Sequence, residues 1–298
     1  MKTKQLGAKA KRYMWGYLFI APALLGTICL YIGPVLQTIY LSFTEAKGFG
    51  EPAFAGLKNY GRLFGDGEVF RALGNTSVYV LLTVPVGVFL SLFVAVLLNA
   101  GIKAKGIFRT VYFLPVISAP VAVSLVWKWL YNREYGLINN ILSTVGIVGP
   151  NWLGDKNLVI FSIALVGIWS MLGYNMVILL AGLQEIPQTL YEAAEIDGAG
   201  PFTRFFRITI PMVSPTLFFV VVTATISALQ VFDFVYMMVD RAGPAFKSAE
   251  TVVFLFYRYT FENYNRGYGS AIAIFLFVIV LVLTLFQMQW QKKWVHYN

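Results

Sequence analysis

The segment 192-EAAEIDGAGPFTRFFRITIP-211 separates two long apolar runs of the chain. It opens with carboxylates and glycines, whereas the runs on either side, at about 157–182 and 211–238, contain few charged residues. Charged groups and glycine-interrupted backbone are costly in hydrocarbon, so we expect the segment to lie outside the bilayer. What binds it there largely determines the function of the protein.

The composition is that of a membrane protein. Hydrophobic residues make up 58% of the chain and charged residues only 12%, against about 25% charged residues in a soluble protein. A membrane helix needs roughly 20 apolar residues, and such runs lie at about 15–43, 73–99, 111–131, 157–182, 211–238 and 269–290. We therefore predict an all-α polytopic membrane protein of about six transmembrane helices, with both termini on the same side.

Basic residues indicate the orientation of the chain. A basic cluster precedes the first apolar run at Trp15, and that run continues toward Phe43, further than the apolar part of a cleaved signal peptide. An uncleaved first span with a cytoplasmic start fits this pattern better, because basic segments favour the cytoplasmic side. The prediction is a cytoplasmic segment at 1–14, a single membrane domain at 15–290 and a cytoplasmic tail at 291–298, which also places 183–210 in the cytoplasm.

Several function classes are disfavoured by residue counts. The single histidine, His296, and the single cysteine, Cys29, exclude a histidine-rich metal site, a Ser-His-Asp triad and an intramolecular disulfide. The net charge of +9 is spread through short loops, which favours a role in topology over nucleic-acid binding. We predict no catalytic residue and no metal ligand, and an intramembrane enzyme is the least favoured alternative.

The segment between the two runs has the signals of a helical hairpin. Thr189 and Glu192 have the spacing of a capping box, which predicts a short helix from about Leu190. Gly198 is suited to ending that helix, and Pro201 is typical of the first turn of a second one. The chain should therefore turn back toward the membrane at this glycine.

From the residues alone, this hairpin has three interpretations. An amphipathic hairpin can lie in the membrane interface without any partner. The carboxylates of Glu192, Glu195 and Asp197 can be paired for acid–base chemistry, although no nucleophile or metal ligand lies near them. A docking helix is the third interpretation, because Ala193 and Ala194 leave one side small enough for another protein to approach closely.

A family resemblance favours the docking helix. The string Glu192-Ala193-Ala194, followed by Asp197-Gly198-Ala199 and then Phe205, Ile208, Ile210 and Pro211, resembles the EAA loop of ATP-binding-cassette importer permeases. The similarity extends over nearly the whole chain, toward the first of the two permeases in maltose and glycerol-phosphate importers. Supporting stretches are 54-FAGLKNY-60, 113-FLP-115, 127-WKWL-130, 136-GLIN-139 and 268-YGSA-271. The turn Asp240–Pro244 departs from the family pattern by an apparent extra residue.

The resemblance implies a permease subunit that imports a sugar or oligosaccharide across the cell membrane of a prokaryote. It implies partners: a pair of ATPases, a second homologous permease, an extracytoplasmic solute-binding protein and membrane lipid. The chain has no P-loop sequence to hold phosphates, so it binds no cofactor itself, and ATP and Mg²⁺ belong to the partner ATPase. The EAA loop at about 189–211 would carry the coupling residues, which are Glu192, Ala193, Ala194, Asp197, Gly198, Ala199 and Pro211.

Polar and aromatic side chains within the fourth and fifth runs are candidates for the solute path. Such groups need partners or water inside a membrane, and amides, carboxylates and rings suit the hydroxyls and C–H faces of a sugar. Hydrogen bonding between helices is the alternative role for each of them. The candidates are Trp169, Tyr174, Asn175, Ser227, Gln230, Asp233 and Tyr236. The last residues would share one helical face, because Gln230 and Asp233 are three positions apart.

Three alternative functions stay open at this stage. The same machinery can import glycerol phosphate or another polar solute instead of a sugar. A stand-alone channel or carrier would transport without any ATPase. An interaction scaffold would not transport at all.

Overall fold

A computed structural model describes residues 2–48, 50–100 and 105–295; of residues 2–10, 12, 105, 108 and 109 it describes the backbone only. Helices dominate this part of the chain, and its two strands are short. The chain divides into two compact units, one made of the residues up to Gly65 with Phe256–Phe275, the other of Asp66–Leu255 with the residues from Leu276 onward. The single membrane domain proposed for 15–290 stays a prediction.

The first unit contains the first span and a small folded loop. Helix α1 (Lys2–Thr27) passes through a π-helical turn, Ile28–Ile32, into α2 (Gly33–Ser42). Strand β1 (Thr44–Glu45) then pairs antiparallel with β2 (Ala53–Phe54), and α3 (Lys58–Gly65) follows. The Asn59 amide donates hydrogen bonds of 2.9 Å to the carbonyls of Ser42 and Thr44, which fixes the chain where it leaves the span.

The second unit contains most of the remaining helices. They are α4 (Gly67–Asn99), α5 (Lys105–Ile117), α6 (Pro120–Leu130), α7 (Leu137–Thr144), α8 (Val159–Gln184), α9 (Gln188–Ile196), α10 (Pro201–Arg204), α11 (Ile210–Leu229), α12 (Asp233–Met238) and α13 (Phe246–Ala249). Two helices belong partly to each unit, α14 (Val252–Tyr257) and α15 (Arg266–Gln291). Further π-helical turns cover Phe205–Thr209 and Arg258–Glu262.

The core of the second unit is the packing of α4, α8 and α11. Glycines lie where these helices approach each other: a Cβ on Gly167 would be 2.1 Å from the Tyr79 hydroxyl, and one on Gly182 would be 2.5 Å from Oγ1 of Thr216. Lipid tails are as apolar as leucine, so membrane helices associate through close packing rather than through a hydrophobic drive. Small residues at these positions allow that packing.

The predicted membrane helices are confirmed, with two corrections. Five helices are long and apolar enough to cross a membrane within the described residues, at Tyr13–Ser42, Gly67–Asn99, Val159–Gln184, Pro201–Leu229 and Arg266–Gln291. The run at 111–131 is not one straight helix, because it bends by 109° between Ile117 and Pro120. Pro120 cannot donate to the preceding turn and opens a new helix instead. Counting this pair as one broken span gives six.

The fifth predicted run needs the second correction. The helix begins earlier than predicted, at Pro201, and ends at Leu229, so the run at 211–238 is interrupted. The break frees backbone groups that hydrocarbon cannot satisfy. The buried hydroxyl of Thr251 donates to the Val231 carbonyl at 2.9 Å and so satisfies one of them.

The loop after α12 is held in place by polar contacts. Within the second unit, the Asn75 amide donates at 2.9 Å to the carbonyls of both Lys247 and Glu250. The Arg71 guanidinium lies 3.4 Å from the buried Glu250 carboxylate. These contacts attach the loop after α12 to the start of α4. From residue 296 onward, the predicted tail lies outside the described residues, and so does His296.

The packing of α5 against α8 yields a stability prediction. A Cβ on Gly173 would be 2.0 Å from the Tyr112 carbonyl oxygen, which is backbone and cannot rotate away. Gly173→Ala should therefore destabilise the protein by about 1–3 kcal/mol and lower the Tm of the detergent-solubilised protein. Gly74→Ala is the control, because nothing lies within 4 Å of a Cβ there and alanine favours helix. Equal Tm values for the two variants would contradict the packing.

Candidate functional site

The predicted short helix is present and begins two residues earlier than the capping-box pattern placed it. Helix α9 starts at Gln188, and its N-cap is Pro187, which has no side chain that can accept a hydrogen bond. The capping box at Thr189 and Glu192 is therefore wrong, because Thr189 is already within the helix. No residue of α9 is buried.

The helix ends at the predicted glycine, in a Schellman turn. Gly198 has a φ of 76°, which favours glycine because other residues lose energy in this region. The Gly198 amide donates to the Glu195 carbonyl at 3.0 Å, and the Ala199 amide donates to the Ala194 carbonyl at 2.8 Å. Gly200 then has ordinary extended backbone before Pro201 opens the next helix, as predicted. The elbow between α9 and α10 therefore has a defined shape.

Two side-chain contacts attach α9 to the chain that follows it. The hydroxyls of Tyr191 and Thr209 are 2.9 Å apart, and Tyr191 packs against the buried core. The Arg204 guanidinium lies 3.4 Å from the Glu195 carboxylate, a partly exposed ion pair that stabilises by about 0–1 kcal/mol. Tyr191 and Glu195 lie one turn apart on one side of α9, so that side is held toward the membrane helices.

The opposite side of α9 is open. Glu192, Ala193 and Asp197 are exposed, and Ile196 is 86% exposed. Ile196 was not among the coupling residues predicted from the sequence. The remaining predicted coupling residues, Ala194, Ala199 and Pro211, are half-buried.

A second candidate site is a cavity of about 290 Å³ between the helices of the same unit. It lies where α11 breaks, beside α4, α8 and the first residues of α6 and α12. The polar side chains that line it are Tyr79, Thr83, Ser170, Ser227, Gln230 and Asp233. Pro120, Gly167, Met171, Phe232 and Phe234 complete much of the wall.

Three of the predicted path residues meet at this cavity, for a different reason than predicted. Ser227, Gln230 and Asp233 all line it, but they do not share the face of one helix. The helix ends at Leu229, Gln230 is its C-cap, and Asp233 begins α12. The break in the span, not helical spacing, brings the three side chains together.

The other predicted path residues lie away from the cavity wall. Asn175 is buried in α8, and its Nδ2 has no hydrogen-bond partner among the described residues. The Trp169 ring packs edge-on against Trp127, with centroids 5.6 Å apart. Tyr174 is half-exposed, and the Tyr236 ring packs against Phe232 with centroids 5.1 Å apart. Their contribution to a solute path stays a prediction.

Tyr79, Thr83 and Ser170 were missed by the sequence analysis. Each is a single hydroxyl in a long apolar run, and nothing in the linear sequence says which hydroxyl faces a cavity. Ser170 Oγ is buried without a hydrogen-bond partner in the described part of the chain. A buried hydroxyl without a partner is unusual in a folded protein, and this one lies at the wall of the cavity.

Comparison with known proteins identifies the family. The sequence profile described as binding-protein-dependent transport system inner membrane component matches residues 54–295. The lactose transport system permease protein LacF of Rhizobium radiobacter is 37% identical over 84% of this chain and 85% of its own. The trehalose/maltose transport system permease protein MalF of Thermococcus litoralis is 36% identical over 81% of this chain and 83% of its own.

Two further similarities cover almost the whole chain. The sn-glycerol-3-phosphate transport system permease protein UgpA of Agrobacterium fabrum is 34% identical over 94% of this chain and 96% of its own. A chain in the crystal structure of a bacterial alginate ABC transporter, in complex with an alginate pentasaccharide-bound periplasmic protein, superposes with a TM-score of 0.85. That match covers 97% of this chain and 98% of the other at 23% identity, so it supports the fold alone.

The matched segment includes both the elbow at Gly198 and the cavity at the break of α11. The protein is therefore a membrane permease subunit and not an enzyme, and it belongs to the family of binding-protein-dependent transport system inner membrane components, the permeases of ATP-binding-cassette importers.

Proposed function

We propose that this chain imports a sugar or oligosaccharide together with a second permease, and that α9 couples it to an ATPase pair. The observation that carries the proposal is the combination of an exposed docking helix and a polar-lined cavity on one compact unit. Relatives named as lactose and trehalose/maltose permeases support the choice of solute class. A solute-binding protein on the outer side would deliver the solute.

The open side of α9 is the surface that the ATPase would bind. Its small Ala193 allows close approach, Ile196 offers an apolar anchor, and Glu192 offers a carboxylate for a charge-assisted hydrogen bond. ATP and Mg²⁺ would be held by the ATPase, because this sequence has no P-loop. This arrangement requires α9 and both termini to be cytoplasmic.

One continuous helix would transmit movement from the elbow to the cavity. It runs from Pro201 to Leu229, and at 1.5 Å per residue it spans about 40 Å. Its first turns are tied to α9 through the Tyr191 and Arg204 contacts, and its last residues lie at the cavity. Displacement of α9 by ATPase closure would therefore tilt the helix and change access to the cavity, which is the requirement of alternating access.

A second solute class has support from one relative. The UgpA protein of Agrobacterium fabrum is named as a glycerol-3-phosphate permease and is similar along nearly the full length. The same coupling machinery would then import an anionic solute.

The test of the proposed function is reconstitution of the complete transporter. This chain would be purified with the second permease, the ATPases and the binding protein, and placed in proteoliposomes with candidate saccharides. We expect ATP-dependent uptake that requires every component. Uptake by this chain alone would instead indicate a stand-alone carrier, and no uptake of any solute would contradict the proposal.

Crosslinking tests the docking surface directly. In a Cys29→Ser background, Ile196→Cys should crosslink to the ATPase within the assembled complex, because Ile196 is 86% exposed on the open side of α9. Val148→Cys is the matched control, since this residue is 94% exposed but lies in the loop after α7. Crosslinking of Val148→Cys with the ATPase, or none from Ile196→Cys, would refute the assignment.

The elbow offers a matched pair of glycine variants. Gly198→Val places a branched residue at a φ of 76°, at a cost of about 1–2 kcal/mol or more, and should uncouple ATP hydrolysis from uptake without preventing membrane insertion. Gly200→Val should retain coupling, because the backbone there is extended and has open space around it. The measurement is the ratio of solute uptake to ATP hydrolysed. If Gly198→Val keeps the ratio of the unmodified protein, coupling does not depend on the shape of the elbow.

The cavity makes a prediction about solute affinity. Gln230→Ala removes an amide from the cavity wall and should raise the KM for uptake by about tenfold, with a smaller change in ATPase activity. Gln184→Ala is the control, since this amide lies exposed at the last residue of α8. If both variants keep the KM of the unmodified protein, the solute site lies elsewhere, for example in the second permease.

A further inference from the structure

The charge on the wall of the cavity at the break of α11 is negative. Asp233 is the only charged side chain among the residues that line it, and the other polar groups are hydroxyls and one amide. No lysine or arginine contributes to the wall in the described part of the chain. A sugar and a phosphate are bound by different side chains. The residues of the cavity wall therefore influence which solutes can bind there.

Asp233 is the first residue of α12 and lines the cavity. Its side chain is exposed at the cavity, and it forms no ion pair with any described residue. The charge is therefore presented to whatever enters.

Two basic residues of the same unit, Arg241 and Lys128, contact other groups. The Arg241 guanidinium lies over the rings of Tyr236 and Phe254, at 4.4 Å and 5.5 Å from their centroids. The Lys128 ammonium donates at 3.1 Å to the Met237 carbonyl, near the end of α12. Neither side chain lines the cavity, so neither offers a direct contact to an anion bound there.

The remaining polar groups suit an uncharged guest with many hydroxyls. Ser170 Oγ is buried at the wall without a partner, and it can both donate and accept a hydrogen bond. Gln230 adds two donors and an acceptor, and the Asp233 carboxylate accepts from hydroxyls. A phosphate or carboxylate would instead need arginine or lysine, which are the usual partners of such anions.

We infer that this cavity is a charge filter that admits uncharged polyhydroxyl solutes and rejects phosphorylated and carboxylated ones, with Asp233 as the residue that determines the rejection. The inference rests on the proposed function and narrows it, because it chooses between the saccharide and glycerol phosphate. It also assigns Ser170 and Tyr79 to the wall that receives the solute.

The test compares a neutral disaccharide with its uronate and its phosphate ester, each supplied at saturating concentration to the complete transporter in proteoliposomes. The quantity measured is the ratio of anion uptake to neutral uptake. Since the binding protein is the same in every sample, a change in this ratio between variants reports on the permease alone. We expect a low ratio for the unmodified protein and a rise of about tenfold in Asp233→Asn, which removes the charge but keeps the shape.

Two further variants keep the result interpretable. Glu134→Gln removes a carboxylate from an exposed outer loop and should leave the ratio unchanged. Asp233→Glu restores the charge and should restore a low ratio, which separates the effect of charge from a loss of folding. An unchanged ratio in Asp233→Asn, including no detectable anion uptake by either protein, would overturn the charge filter. So would preferential uptake of the anions by the unmodified transporter. Absence of any ATP-driven uptake would instead remove the proposed function, and the filter with it.

Discussion

A backbone that leaves its helix inside a membrane must find hydrogen-bond partners within the protein, because hydrocarbon supplies none. The break after Leu229 meets this constraint through the loop that follows α13, where the Thr251 hydroxyl binds the Val231 carbonyl. That loop is itself held by Asn75 and Arg71 at the start of α4. The break of the span, α12 and the loop after α13 are therefore connected by one small set of polar contacts.

The helix that runs from Pro201 to Leu229 connects the two candidate sites. At one end it continues from the elbow, where the Gly198 turn fixes the direction of the chain and the Tyr191–Thr209 contact holds α9 against the core. At the other end it stops, and the residues after it turn inward to form the cavity wall. The proposed coupling role requires stiffness along this helix, and close packing of Gly182 in α8 against Thr216 contributes to that stiffness.

Much of the architecture was predictable from the sequence because membrane helices require long apolar runs. The six runs and the elbow at Gly198 were found in this way, and the family resemblance followed from the residues around that glycine. The bend before Pro120 and the end of α11 at Leu229 were not found, since an apolar residue in a broken span looks like one in a straight span. Tyr79, Thr83 and Ser170 were missed for a related reason: which hydroxyl faces a cavity depends on how three helices pack.

The first candidate span differs from the others in how much of it is buried. Across the most apolar stretch of Tyr13–Ser42 no residue is buried, whereas the remaining candidate spans bury between 28% and 50% of theirs. The apolar side chains along this helix are therefore open to contact with lipid or with another protein, and substitutions there would act through those surroundings.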